Sequence, residues 1–301
     1  MNITISSAFN VLSKAVLENY VDALNERFET LSEQFSILPK RATEFSAGYD
    51  LSCVNDLVIP AHSAKSVTFG QCIEILVPDT VALIIPRSSL AKKRGLVQLF
   101  GPQYIYPSEV NRVISVEFFN FTDSDVELKT GDKLAQCVLI RNPFASEIGE
   151  VIPDPLDPNL MGYPLNGAVE FVKDSKPVDC IDRTEFYFQS PQEIWLDPGK
   201  VTCVMTGLMA KIEKDQVFIL QNACVNPCVE LANCVGIVDS DYYGNPDNQG
   251  EIGVLLLNRG IHAVKINLGD VIATGAIFAY DTMDDDSFGG QRVGGFGSTD
   301  K

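Results

Sequence analysis

The apolar residues Phe9, Leu12, Val16, Tyr20, Leu24, Phe28, Leu31 and Phe35 recur every third or fourth position. That spacing places them on one face of a helix, so an N-terminal helical extension is expected over residues 1–38. Its apolar stripe would pack on the following domain or serve as a self-association face. After Pro39 the period shortens. Runs such as LVIPA, SVTFGQCIEILV, VALIIP, VISVEFFNF and KLAQCVLI alternate with Gly, Pro, Asn and Asp, as an all-β barrel or sandwich requires. The segment VIPDPLDPNLMGYPLNG, with four prolines, breaks the pattern and reads as a linker over 147–177.

The β pattern then resumes in a related form. ISVEFFN (114–120) is followed eleven residues after Asn120 by Gly131 of GDKLAQCVLI, and IGVLLLN (252–258) eleven residues after Asn258 by Gly269 of GDVIATGAIF. The equal interval predicts two copies of one β-fold, at 39–146 and 178–280. The acidic DTMDDDSFGG and glycine-rich QRVGGFGSTDK then form a tail over 281–301 with no apolar periodicity.

Composition narrows the function. The 301 residues carry 23 Lys and Arg against 40 acidic residues, a net charge of -17, and 46% are hydrophobic. Such a chain builds real cores but lacks the cations that neutralise a nucleic-acid backbone, so no nucleic-acid partner is expected. The start MNITISSAFN has no basic and apolar leader, and no apolar run approaches ~20 residues. No membrane association and a cytoplasmic location are therefore expected, the host cytoplasm if the source is viral. Eight scattered cysteines without a CxxC pair, and His62 and His262 as the two histidines, offer no metal cage. Buried free thiols are the expectation.

Candidate chemistry lies in five segments. In SAGYDL (46–51) Asp50 follows Gly48 on a strand. In PRSSLAKKRG (86–95) a strand runs into a turn presenting a guanidinium, hydroxyls and free N–H groups, a combination suited to phosphate oxygens. NCVGIVDSDYYG (233–244) places Asp239 at a strand end, with Asn233 six residues before it and Tyr242 three after it. GDKLAQCVLI carries Gln136, where the second copy has Thr274, and RVGGFGST (292–299) ends the chain.

In this order the segments resemble the five motifs of the trimeric dUTPase family, from about Thr43 to Thr299. The first copy would hold motifs one, two and four, the second motif three, and the tail motif five. The resemblance implies a mainly β chain of two tandem dUTPase-like, jelly-roll-like β-barrel domains. It also implies hydrolysis of dUTP to dUMP and pyrophosphate at one site.

By the same resemblance Asp239 would activate the attacking water, and Tyr242 would pack on the deoxyribose. Asn233 and the backbone at Gly236 would read uracil; Arg87, Ser88, Ser89 and Gln136 would bind phosphates, with Asp50 supporting them through a neighbouring Arg. Arg292, Phe296, Ser298 and Thr299 would close over the nucleotide, although the Arg-to-Phe interval is four where the family has five. Mg²⁺ would be held through substrate phosphates and waters with no direct protein ligand.

Two fused copies with one motif set predict a monomer, with the N-terminal helix as its dimerising face if it dimerises. The insertion NPDNQG after Gly244 is similar to that of phage-type relatives and points to a viral source. Two other functions stay open. A dCTP deaminase, alone or combined with dUTP hydrolysis, shares the RSSLA turn and uses a Glu in a strand such as that of Glu117. A nucleotide-sensing interaction protein would use the N-terminal helix or the 101–113 insertion as its partner surface.

Overall fold

A computed structural model describes residues 39–107, 112–141, 167–173, 176–183, 186–284, 286–292 and 294. The expected helix at 1–38 and the tail residues Phe296, Ser298 and Thr299 lie outside them. The strands up to residue 141 are β1 (Lys40–Arg41), β2 (Gly48–Ser52), β3 (Leu57–Ile59), β4 (Ala64–Ile73), β5 (Thr80–Pro86), β6 (Leu96–Gln98), β7 (Gln103–Ile105), β8 (Arg112–Asn120), β9 (Val126–Leu128) and β10 (Lys133–Arg141). One short helix, α1 (Leu90–Arg94), interrupts them. Those beyond are β11 (Gly167–Lys173), β12 (Lys176–Arg183), β13 (Phe186–Gln189), β14 (Ile194–Leu196), β15 (Val201–Lys211), β16 (Gln216–Asn222), β17 (Val229–Leu231), β18 (Gly236–Asp239), β19 (Glu251–Asn258), β20 (Val264–Ile266) and β21 (Val271–Asp281). The described chain is thus mainly β, with every pair of named strands antiparallel. None of its helices is long and apolar enough to cross a membrane.

The pairing in one half recurs in the other. β10 lies between β2 and β5, and β5 pairs with β7. β21 likewise lies between β13 and β16, and β16 pairs with β18. β8 joins β4 and β6 as β19 joins β15 and β17, and β3–β9 has its counterpart in β14–β20.

The two invariant intervals in the sequence have matching physical causes. Asn120 and Asn258 are fully buried, so each amide needs internal acceptors. Asn120 Nδ2 donates to the carbonyls of Ile59 (3.0 Å) and Ser124 (2.8 Å). Asn258 Nδ2 donates to those of Leu196 and His262, both at 2.8 Å. Gly131 and Gly269 have φ near +90°, where a side chain is strained, and their N–H groups bond Cys53 O (2.7 Å) and Ser190 O (2.9 Å).

β5 and β16 are continuous apolar runs because both of their faces are covered. Ala82 and Ile84 face the core of the first half, together with Tyr49, Phe69 and Phe118. Phe218 and Leu220 face that of the second, with Phe188, Ile252 and Ile272. The alternate residues Leu83, Ile85, Val217 and Ile219 meet Val138, Ile140, Val235 and Phe278 in a third cluster between the halves. Strand pairing continues across this junction through Leu139 opposite Asp281 and Ile140 opposite Tyr280.

Two expectations need correction. Residues 167–173, inside the stretch read as linker, form β11, which pairs with β12 and with β15. No proline lies between Pro164 and Pro177, and AVEFVK within that interval carries strand-forming residues. The thiols also differ among themselves: Cys53 and Cys137 are buried, Cys203, Cys224 and Cys234 half-buried, and Cys228 exposed.

Candidate active site

A cleft opens where the ends of β2, β5 and β10 face β18 across the junction. It is lined from the first half by Ser46, Gly48, Asp50, Arg87, Ser88, Ser89 and Gln136, and from the second by Asn233, Gly236, Asp239 and Tyr242. Arg292 of the C-terminal segment completes the wall. The structure therefore brings together the described residues predicted as site residues, from segments up to about 240 positions apart.

Local geometry explains how each is placed. β5 ends at Pro86, and Arg87 turns back toward β10, its N–H bonding Leu134 O at 3.0 Å. The turn enters α1, which stops at Gly95 in the left-handed region (φ 64°), where the N–H returns to Ala91 O. A β-carbon on Gly95 would also meet the Thr122 methyl at 2.0 Å, so both the turn and the packing call for glycine. Arg87 is 7% exposed, and its Nε lies 3.1 Å from Asp50 Oδ1, while Lys133 Nζ lies 2.9 Å from Asp50 Oδ2. Asp50 thus holds the Arg87 guanidinium at the cleft wall and pairs with Lys133 as well. Gln136 sits opposite Asp50 in the β2–β10 register, and its side chain crosses Gly48 so closely that a β-carbon there would stand 2.1 Å from Oε1.

On the other wall β18 runs GIVD, with Asp239 at its end, before the 3-10 turn Ser240–Tyr242 swings the tyrosine ring inward. Tyr242 is buried among the second half's core residues. Asn233 is buried, and the next residue, Cys234, has φ 57°, a bend that carries the chain from β17 into β18.

Asp239 has two unlike oxygens. Oδ1 accepts the Ala47 N–H at 2.9 Å, whereas Oδ2 is paired with Arg292 Nη2. Burial raises the pKa of this carboxyl above the ordinary carboxylate range; the Arg292 charge opposes the rise, and the neighbouring Asp241 adds to it. Arg292 also binds Asp241 through Nε at 2.7 Å, approaches Ser46 Oγ at 3.4 Å and lies over the Tyr242 ring, 5.6 Å from its centroid. Asp241 accepts a further hydrogen bond from Thr43 Oγ1 at 2.5 Å, and Thr43 is 2.6 Å from Ser46 Oγ. The guanidinium predicted to close over the nucleotide is in this arrangement held on the carboxylates of the cleft.

The C-terminal segment reaches the first half through Phe288, which bridges Arg41 in parallel. Arg41 N–H bonds Ser287 O (2.9 Å), and Gly289 N–H bonds Arg41 O (3.1 Å). Asp286 takes the Arg41 guanidinium, with Nε at 2.7 Å, and the Tyr49 hydroxyl at 2.6 Å. These charge-assisted bonds hold the Asp286 carboxyl below its ordinary pKa. They fix the point from which the tail enters the cleft.

Relatives identify the scaffold. The family model described as dUTPase matches residues 35–151, and a stretch of 176 residues is 33% identical to the mitochondrial deoxyuridine 5'-triphosphate nucleotidohydrolase of Dictyostelium discoideum, covering 55% of this chain and 90% of that protein. The chain belongs to the dUTPase family. The nucleotidohydrolase of Paramecium bursaria Chlorella virus 1 is 39% identical over 102 residues, 34% of this chain and 69% of that one. Among solved structures, the dUTPase of Streptococcus mutans is 26% identical, covers 34% of this chain and 82% of that one, and gives a TM-score of 0.33.

The dUTPase motifs account for most of the cleft but not all of it. Thr43, Ser46 and Asp241, and the Arg41–Asp286–Tyr49 anchor of the tail, were not singled out by sequence. The signals were present: Asp241 lies within the third motif, and Asp286 in an acidic run that leads straight into the fifth. The position of Glu117, which the deaminase alternative would use, does not favour that alternative at this cleft. Glu117 lies on β8 opposite Ser66, and it is not among the residues lining the cleft.

Proposed function

We propose that the protein hydrolyses dUTP to dUMP and pyrophosphate at this single cleft, with Asp239 as the base that activates the attacking water. The observation that carries the proposal is the convergence of Arg87, Ser88, Ser89 and Gln136 with Asn233, Asp239 and Tyr242 on one cleft. The phosphate chain lies against Arg87, the two serines and Gln136, where charge-assisted hydrogen bonds contribute about 1.5–3 kcal/mol each. Uracil lies toward Asn233 and the backbone at Gly236, and the deoxyribose against Tyr242.

Asp239 Oδ1 is held by a backbone N–H, which leaves Oδ2 to take the proton from water. That oxygen is the one paired with Arg292. Arrival of the phosphates offers the guanidinium a stronger anion, so substrate binding would move Arg292 onto the nucleotide and release the base. Phe296, Ser298 and Thr299 follow it, Phe296 onto uracil and the hydroxyls onto the phosphates.

Among the described residues no group of three or more His, Cys, Asp or Glu side chains is arranged to hold a metal. The cleft carboxylates Asp50 and Asp239 are already paired with guanidinium groups. This donor set fits Mg²⁺ carried on the substrate phosphates and waters. When bound there, the ion neutralises charge on the phosphate oxygens.

The recurring buried asparagines, the Gly131 and Gly269 turns and the matched strand pairings support two tandem copies of one β-fold within the chain, 39–146 and 178–280. In the first copy β7, which pairs with β5 as β18 does with β16, runs on into Tyr106 with no carboxylate at its end. In the second copy Thr274 replaces Gln136. One site per chain follows, and since both of its walls come from the same chain, the protein is proposed to work as a monomer.

Purified protein incubated with Mg²⁺ and either dUTP or dCTP decides the reaction. The expected products are dUMP and pyrophosphate from dUTP, with no ammonia from dCTP; ammonia release without pyrophosphate from dUTP would overturn the assignment. The pH profile tests the base. The deprotonated carboxylate is the active form, so kcat/KM falls as pH drops through the Asp239 pKa, at a pH above the ordinary carboxylate range. Arg292→Gln removes the charge that opposes this rise, so the acid limb is expected to move to still higher pH. An unmoved limb would mean that a group other than Asp239 titrates.

A further inference from the structure

Tyr242 is held more completely than contact with a sugar requires. The insertion after Gly244 folds back on this residue and bonds both its main-chain carbonyl and its hydroxyl. Asn245, buried among exposed neighbours, donates from Nδ2 to Tyr242 O (2.8 Å) and to Asn248 Oδ1 (2.7 Å). Its Oδ1 accepts the N–H groups of Asp247 and Asn248, both at 3.1 Å, which closes the loop on itself. Asn248 Nδ2 then donates to the Tyr242 hydroxyl (2.9 Å) and to Glu251 O (3.0 Å), and the hydroxyl donates to Glu251 O at 3.2 Å.

The loop has little freedom to do otherwise. Gln249 (φ 61°) and Gly250 (φ 91°) are both left-handed, and a β-carbon on Gly250 would meet Tyr242 O at 2.6 Å. Glu251 is fixed in turn, as the first residue of β19 and through its carboxylate on the Gly207 N–H at 2.8 Å. The ring is therefore tied through its hydroxyl, by Asn248, to a core strand, while the cleft guanidinium lies over its face.

We infer that residues 245–250 are a brace for Tyr242, and that Asn248, which lies outside the cleft lining, is a positioning residue for discrimination against ribonucleotides. A steric filter works only if the ring cannot yield. A 2′-hydroxyl adds one oxygen, and a phenol free to retreat by a fraction of an ångström would admit it. A hydroxyl bonded to Asn248 and Glu251 cannot retreat without breaking both of these part-buried hydrogen bonds. This inference rests on the placement of the sugar against Tyr242 in the proposed function.

The test compares kcat/KM for dUTP and for UTP, both with Mg²⁺, in the full chain and in Asn248→Ala, Tyr242→Phe, the double variant and Tyr242→Ala. Asn248→Ala and Tyr242→Phe are each expected to lower the dUTP/UTP ratio by about tenfold, the factor that one hydrogen bond of ordinary net strength sets. The change should come chiefly from better use of UTP, which a general loss of structure would not produce. The double variant should lower the ratio by clearly less than the product of the two single effects, because both remove the bond between Asn248 and the hydroxyl. Tyr242→Phe keeps the ring and the Asn245 bonds, so it remains informative if Asn248→Ala unfolds well below the parent temperature. A ratio unchanged in both single variants, while Tyr242→Ala does change it, would overturn the brace alone. A ratio unchanged in Tyr242→Ala would overturn both the brace and the placement of the sugar.

Discussion

Replacing Asp239 by Asn is expected to lower kcat for dUTP by a factor of at least ~10², the lower end of what a positioned general base contributes. The change is nearly isosteric. An asparagine at this position can still accept the Ala47 N–H through its carbonyl oxygen, so the end of β18 keeps its anchor. What it loses is the ability to take a proton. It also relieves a buried carboxylate whose charged form is disfavoured by its surroundings. The folded protein should consequently be no less stable. Steady-state kinetics and thermal unfolding of the same preparation check both halves of the expectation. Full turnover in Asp239→Asn would assign the water to another residue, and a large loss of stability would make the kinetic result structural.

The second large effect is expected from ending the chain after Gly289. Residues 287–289 would remain on β1, so the Arg41–Asp286 anchor and the fold around it stay intact. Arg292 and the rest of the fifth motif would be lost. On the proposed function this removes the groups that close over uracil and the phosphates, and with them the exclusion of bulk water from the reacting phosphorus. Turnover of dUTP should fall by about tenfold or more, as closure of a site against water and alignment of the attacking one are both affected. The truncated protein should still fold, with an unfolding temperature lowered only by loss of the Arg292 pairs with Asp239 and Asp241. A fully active truncation would show that the tail has no part in closure.

Much of the site was legible because its chemistry is local. Asn233, Asp239 and Tyr242 stand at intervals that a strand end and one turn must produce. Arg87, Ser88 and Ser89 occupy a single turn after β5. The β runs were legible for a similar reason, since β8 buries Ile114, Val116, Phe118 and Asn120 in strict alternation. Residues whose role depends on distant partners were not. Nothing around Arg41 announces a contact with Asp286, 245 positions away, or around Thr43 one with Asp241. Asn245 and Asn248 looked like an insertion between motifs, because asparagines in a loop are ordinary turn formers. Their bonds to Tyr242 appear only when the chain folds back.

The amino-acid sequence by itself determined the β-rich character of residues 39–141 and of the region beyond 186, the equal intervals in its two halves and the split of five motifs between them. These follow from side-chain period and turn chemistry, which act over a few residues. Only the tertiary structure decided that β11 belongs to a sheet, that the alternate faces of β5 and β16 build a shared cluster, and that this junction brings Asp239 into the same cleft as Arg87 and Gln136. It also decided that Arg292 rests on Asp239 and Asp241. The physical reason is the same in each case. Burial of apolar surface between the halves sets which segments meet, and the charges carried along with those segments then pair according to position rather than sequence.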